Sequence, residues 1–491
     1  MEFTANCSND WARDETVNDE RKAFSRMMAV GYWVFALSLV FEILSSRCLY
    51  ADGAYEFIHV LQDQNFVALL WSRHFACCII EFPLVLVIKL GVTNLSWLRL
   101  AFGFGCFLPW PLALAACHWI SPRHFWLAVA GCAAGYLNTA YVAIAEHIIT
   151  HALFWPSLFV ILFACPLKPG HAAILLVCAT AMLFTYESQL FLSAPLALLA
   201  LWRAHVERQE NNRIGWATCM IASALFAAGV SVGLSGVLMP EHRADYSGFK
   251  TGALVMFTHM GWPLGWTMAW IALAVVASYS ETIWRLISRK PGAFVLFALV
   301  LIWGTWPLLS PNSGDTGLQY DHRAVDMLVP MALLPLALIL RFRPEWLESR
   351  SYRIESLAAA LLIAQSLWQM SSTVHWCQDV IWMRQILASH HGIVPLRSGT
   401  VLAAEGMEGR ELRRDAMGGR FDWTWPSLSL ALAPDPNIHS FICSEVFMSP
   451  RIRARFWCPY DPLAPKTLPD LRHYGINYND YFAAMNSAVA R

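Results

Sequence analysis

The chain has 491 residues, 57% of them hydrophobic and only 14% charged, an apolar content beyond what soluble cores require. Its 35 basic and 35 acidic residues cancel, so no nucleic-acid partner and no acidic substrate surface is indicated by charge. Thirteen cysteines show no CxxC or zinc-finger spacing, and most lie in apolar runs, where a thiol behaves as a small hydrophobe.

In chain order, residues 1–26 are polar, with Arg13, Arg21, Lys22 and Arg26 among several acids. A secretory signal has a short basic start and a small-residue cleavage site, so the first apolar run is expected to be an uncleaved span. Runs long enough to consider as spans lie near 27–46, 75–92, 98–119, 124–145, 151–166, 171–186, 189–203, 215–238, 263–280, 293–309, 326–340 and 355–374. If all crossed from a cytoplasmic N-terminus, the basic loops 204–213 and 341–353 would fall outside, against the positive-inside rule. Removing 75–92 restores the rule, and that run is interrupted by Glu81 and Pro83 and flanked by Arg73, His74 and Lys89.

The expected fold is therefore an all-α polytopic membrane protein of about 11 transmembrane helices. Residues 1–26 form a cytoplasmic segment, 27–374 the transmembrane domain, and 47–97 a first outer loop with interfacial helices. Residues 375–491 form a small C-terminal extracytoplasmic α/β domain, long enough for one folded unit. Within it FDWTWPSLSLALAP and HSFICSEVF read as short strands. Any disulfide falls among Cys377, Cys443 and Cys458, and the last two can pair in an oxidising compartment.

This topology gathers Asp52, Glu56, Glu146, His147, His151, Glu187, His242, Lys250, His259, Asp321, His322 and Arg323 at the outer face. Loops are ordinarily polar, but several of these residues close the ends of apolar helices, where charge is costly and often functional. Asp52 in YADGAYEF can cap a helix, serve as a base, or both, with Glu56 one turn on along the same face. His147 and His151, spaced i, i+4, together with Glu146 offer a divalent cation such as Mg or Mn a weak set of ligands. That spacing has low specificity and helix-end polar groups account for it as well, so the sequence leaves dependence on a divalent cation open and fixes no cofactor. The 23 tryptophans are explained mostly by interfacial anchoring.

Five stretches, in order, carry a resemblance: YADGAYEF, KLGVTNLSWLRL, NTAYVAIAEHIITH, LFTYESQLFLSAPLALLALW and QYDHRAVDMLVPMALLPLAL. Their order and sidedness over about residues 27–340 resemble the GT-C superfamily of integral-membrane glycosyltransferases, which includes the lipid A aminoarabinose transferases and the protein O-mannosyltransferases. Asp52 stands with Glu56 four residues later, in place of the adjacent acidic pair of the O-mannosyltransferases. The resemblance implies transfer of a sugar from a polyprenyl-phosphate donor to a lipid, glycan or protein acceptor outside the cytoplasm, with membrane lipids as surroundings. It implies a bacterial inner membrane, with the site and the C-terminal domain facing the periplasm.

Such a reaction needs a base for the acceptor hydroxyl and positive charge for the departing phosphate. Asp52 takes the first role, with Glu146 or Glu56 orienting acceptor or sugar. Arg323 takes the second, surrounded by Tyr320, Asp321 and His322; Glu187, His147 and Lys250 are further substrate contacts. Two other readings are a transporter or flippase for a lipid-linked saccharide and an O-antigen polymerase or acyltransferase. The first would place charge near the bilayer midplane and show repeats; the second would show a large late outer loop or a distinctive histidine motif.

Overall fold

The structure, a computed structural model, describes residues 15–50, 52–67, 71–135, 147–238, 317–346, 351–396, 424–433, 437–444 and 470–478, with isolated positions between 272 and 292. The described chain is mostly helical. Helix α1 (Glu15–Leu44) is followed by α2 (Asp52–Asp63), α3 (His74–Lys89), α4 (Leu95–Phe107), α5 (Pro109–Ile120) and α6 (Phe125–Ala134). Then come α7 (His147–Phe163), α8 (Pro169–Met182), α9 (Gln189–Gln209), α10 (Arg213–Leu238), α11 (Gly317–Phe342) and α12 (Ser351–Ser389). After α12 lie strand β1 (Gly392–Leu396), helix α13 (Trp425–Leu432), and strands β2 (Asn437–Ile438), β3 (Ser440–Ser444) and β4 (Asn477–Tyr478).

Among the described residues, 4 helices are long and apolar enough to cross a membrane: 26–44 within α1, all of α9, 213–236 within α10, and 353–389 within α12. Their outer faces present large apolar side chains, with Trp33 at 72% exposure and Leu198 at 70%, as lipid contact requires. Helices α6, α7 and α8 and the second part of α11 are apolar but shorter.

The run 98–119, expected as one span, is instead two helices bent by 43°, α4 and α5. The break falls at Leu108 because Pro109 lacks an N–H and suits only a first helical turn. If α4 and α5 make one broken span, the described residues hold up to 5 helices able to cross a membrane. Helix α3, only 16 residues and containing Pro83, is not among the membrane-crossing candidates. The last predicted span runs past residue 374, through Cys377 and on to Ser389. His147 opens α7 and Gly317 opens α11, so 147–150 and 317–325, expected as loop, are helical. The runs 263–280 and 293–309 lie outside the described residues except at isolated positions.

Helix α7 is the hub, packed by α3, α5, α8, α9 and α11 and buried along nearly its whole length. Helix packing within a bilayer gains little from hydrophobicity and depends on close approach. Two glycines provide it: a Cβ at Gly131 of α6 would overlap the Trp155 ring of α7, and one at Gly105 of α4 would overlap the Ile80 carbonyl of α3. Helices α1 and α12 run together extensively, with α12 also against α6. Their shared end is tied by polar contacts: buried Arg47 donates from Nη1 to Thr373 Oγ1 at 2.9 Å, and Trp376 Nε1 donates to the Ser45 carbonyl at 3.0 Å.

Beyond α12, β1 pairs in parallel with β3, and β2 with β4. Parallel strands need a crossover, and α13 lies within the one between β1 and β3. The strand expected across FDWTWPSLSLALAP is thus corrected to helix α13, whereas SFICS forms β3. All of α13 is buried; it packs on β3 and on α2, which joins this segment to the stretch between α1 and α3. Cys443 is disulfide-bonded, to a partner outside the described residues, and Cys377 is a free thiol.

Candidate active site

Asp52 is the first residue of α2, which follows α1 by a single turn at Arg47–Leu49. An acid here suits the positive end of a helix dipole, so the local sequence sets the start whatever else Asp52 does. Its side chain lies outside the described residues, as do all of Glu146 and Lys250. Tyr320, Asp321, His322 and Arg323 occupy the opening turns of α11, and their side chains also lie outside the described residues.

The remaining predicted residues are described in full. Glu56, one turn beyond Asp52, is 1% exposed on the side of α2 turned into the bundle, within electrostatic reach of Cys106 on α4. Glu187 sits in the turn between α8 and α9 and meets Arg73, at the start of α3, in a two-point ion pair. Arg73 Nε donates to Oε1 at 3.1 Å, Nη2 lies 3.1 Å from Oε2, and the Ser72 hydroxyl donates to Oε1 at 3.3 Å. This forked geometry is the strongest a guanidinium offers a carboxylate. The Arg73 guanidinium also lies over the Tyr186 ring, 4.5 Å from its centroid.

His147 joins the group through Tyr186, with ring centroids 5.5 Å apart, and His151 stands one turn further along α7, 6.1 Å from His147. Both histidines are buried, at 1% and 4%. The turn is pinned from two sides: the Phe75 N–H donates to the Phe184 carbonyl at 2.8 Å, and Thr150 donates to Thr185 at 2.8 Å. One short turn, 184–188, therefore gathers α3, α7 and α9 around Glu187.

Four contributors to this cluster, Ser72, Arg73, Tyr186 and Gln189, were not among the predicted site residues. Gln189 and Ser193, on the first turns of α9, are fully buried, and neither the Gln189 amide nor the Ser193 hydroxyl has a hydrogen-bond partner among the described residues. Gly233 and Gly236 on α10 make room: a Cβ at Gly236 would lie 3.3 Å from Glu187 Cγ and 3.4 Å from Ser72 Cβ. Buried polar groups without partners are costly, and they concentrate where function requires them.

A second buried acid lies close by. Glu81 of α3 is 0% exposed, and its Oε2 accepts the Val67 N–H at 2.7 Å, while Oε1 has no partner. Burial pushes this carboxyl up to about 8, against the opposing pull of the Val67 amide. No group of three or more His, Cys, Asp or Glu side chains is placed to hold a metal among the described residues. The trio Glu146, His147 and His151 falls partly outside them.

No protein family, curated protein or solved structure matches this chain.

Proposed function

We propose that this protein is a membrane glycosyltransferase of the GT-C type, moving a sugar from a polyprenyl-phosphate carrier to a hydroxyl acceptor at the extracytoplasmic face. The observation that carries the reading is the cluster of Arg73, Glu187, Tyr186 and His147 at turns and helix ends of an apolar bundle, with Glu56 buried separately on α2, the helix that Asp52 begins. Charged and polar groups are not spent there for packing alone.

In this reading the acceptor oxygen attacks the anomeric carbon as its proton passes to the Asp52 carboxylate. The bond from that carbon to the phosphate oxygen breaks, and polyprenyl phosphate leaves with the electron pair. Arg323 binds the departing phosphate, flanked by Tyr320, Asp321 and His322. Glu56 and Glu146 orient sugar or acceptor, and His147, Glu187 and Lys250 complete the pocket. In the structure Glu187 is engaged by Arg73, so its role is to hold the pocket wall as much as to touch substrate. No metal is needed for these steps.

The orientation follows the distribution of basic loops: about 11 spans, a cytoplasmic N-terminus, and residues 375–491 as a small α/β domain outside a bacterial inner membrane. A disulfide-bonded Cys443 supports an oxidising compartment for that end of the chain. The test is transfer from a polyprenyl-phosphate sugar by the purified Asp52→Asn protein, with thermal melting as a check on folding. The reading expects a loss of at least about 100-fold in kcat; wild-type turnover by a folded variant would defeat it.

A further inference from the structure

Arg99 lies in the first turns of α4 and Arg384 near the end of α12. Both reach the final carbonyls of α13. Arg99 Nη1 donates to Ala431 O at 3.4 Å, and Arg384 Nε donates to Leu432 O at 3.2 Å. Because the two acceptors belong to consecutive residues, the two guanidinium groups converge on one spot. Arg99 Nη2 also donates to Ser96 Oγ at 3.2 Å, while its buried Nε has no acceptor.

Neither arginine has a carboxylate partner among the described residues. Arg73, Arg203, Arg343, Arg353 and Arg472 each have one. The end of an eight-residue helix carries at most about half a negative charge, against two full positive ones. Two like charges held half-buried at close range repel more strongly than they would in water, and an anion between them removes that cost. Guanidinium forks match the oxygens of phosphate. The position favours the same ligand: Arg99 stands near the start of apolar α4 and Arg384 near the end of α12, a candidate span, so both lie toward helix ends, where a bilayer would present its phosphates.

We propose that Arg99 and Arg384 form a phosphate-binding site under the C-terminal end of α13, so that a bound phosphate fastens the segment after α12 to the membrane edge. The site uses neither Arg323 nor any other residue of the sugar-transfer reading and does not depend on that reading. The phosphate belongs either to a lipid headgroup or to a free anion.

The test uses the full-length protein in detergent, titrated with dioleoylphosphatidylglycerol and, in a second arm, with inorganic phosphate, each followed by native mass spectrometry. Wild type is expected to bind one phosphate-bearing ligand about tenfold more tightly than Arg99→Gln or Arg384→Gln. Arg384→Lys should recover part of the difference, since charge survives but the fork does not. Binding in the lipid arm alone assigns a headgroup; competition by inorganic phosphate assigns a free anion. Equal binding of both probes by wild type and the folded Gln variants would overturn the proposal. So would an Arg384→Gln protein that speeds hydrogen exchange over 425–432 without changing either titration, for the arginines would then be a carbonyl clamp only. Should Arg99→Gln fail to fold, Arg384→Gln, further from the bundle core, carries the comparison.

Discussion

Glu81, buried on α3, keeps one carboxylate oxygen on the Val67 amide and has no partner for the other among the described residues. Its carboxyl is raised from 4.5 to about 8, so the folded chain holds that proton more tightly than the unfolded one. Below about pH 4.5 both states are protonated and the group contributes no difference. Between about 4.5 and 8 the unfolded chain ionises first, so stability falls as pH rises; above about 8 the loss is complete. Glu81→Gln, which still accepts the Val67 N–H, should remove this slope. Thermal unfolding from pH 5 to 9 is expected to show a falling midpoint for wild type and a flatter one for the variant, which should be higher by about 3 °C or more at pH 9. Parallel curves would show that Glu81 does not titrate as its surroundings imply. At this scale the sequence was informative about which residues carry charge at helix ends. It named Glu187 in its turn and Glu56 one turn after Asp52. It could not supply Arg73 as the partner of Glu187, because 114 residues separate them and only the packing of α3 on the 184–188 turn brings them together.

Elements were legible where local chemistry and environment agreed. Asp52 begins α2, and Asn94 caps α4 by accepting the Ser96 and Trp97 N–H groups, as short polar residues at helix starts do. One misreading and one unforeseen bend have physical causes. The alternation Ser427, Leu428, Ser429, Leu430 imitates a strand facing water on one side, yet every residue of α13 is buried and Ser429 is occupied with the Ile442 N–H. With no solvent face, periodicity loses its meaning, and the better signal was Pro426 just inside a helix start. The run 98–119 reads as one span by hydropathy because Pro109 and Pro111 are themselves apolar. Helix contact gives a sharper expectation. Gly105→Ala would push a methyl group into the Ile80 carbonyl, part of a rigid backbone, and should cost about 1–3 kcal/mol, read as a lower unfolding midpoint. Gly292→Ala, where a Cβ meets nothing within 4 Å, is the matched control and should leave it unchanged.

For the whole molecule, the apolar runs predicted a helical membrane protein, and long apolar helices are what the chain forms. The proposed sidedness rests on charge asymmetry and on the disulfide at Cys443, so it invites a direct measurement. Single cysteines at Asn211 and His390, introduced after replacement of exposed Cys165, should differ toward a membrane-impermeant thiol reagent in intact spheroplasts. His390 is expected to react and Asn211 to react only after permeabilisation. The reverse pattern would invert the topology and move the proposed site to the cytoplasm.

Helix α12 has 39 residues, or about 58 Å, against a hydrocarbon layer of about 30 Å. An unbroken helix cannot fold over at the water boundary. It acts as a stiff mast for β1, which follows it directly, and for β3 and α13, which pack against it, and keeps them from swinging aside. Wherever it crosses, about half of its length must stand outside the hydrocarbon layer, and what it carries is held in place rather than hinged.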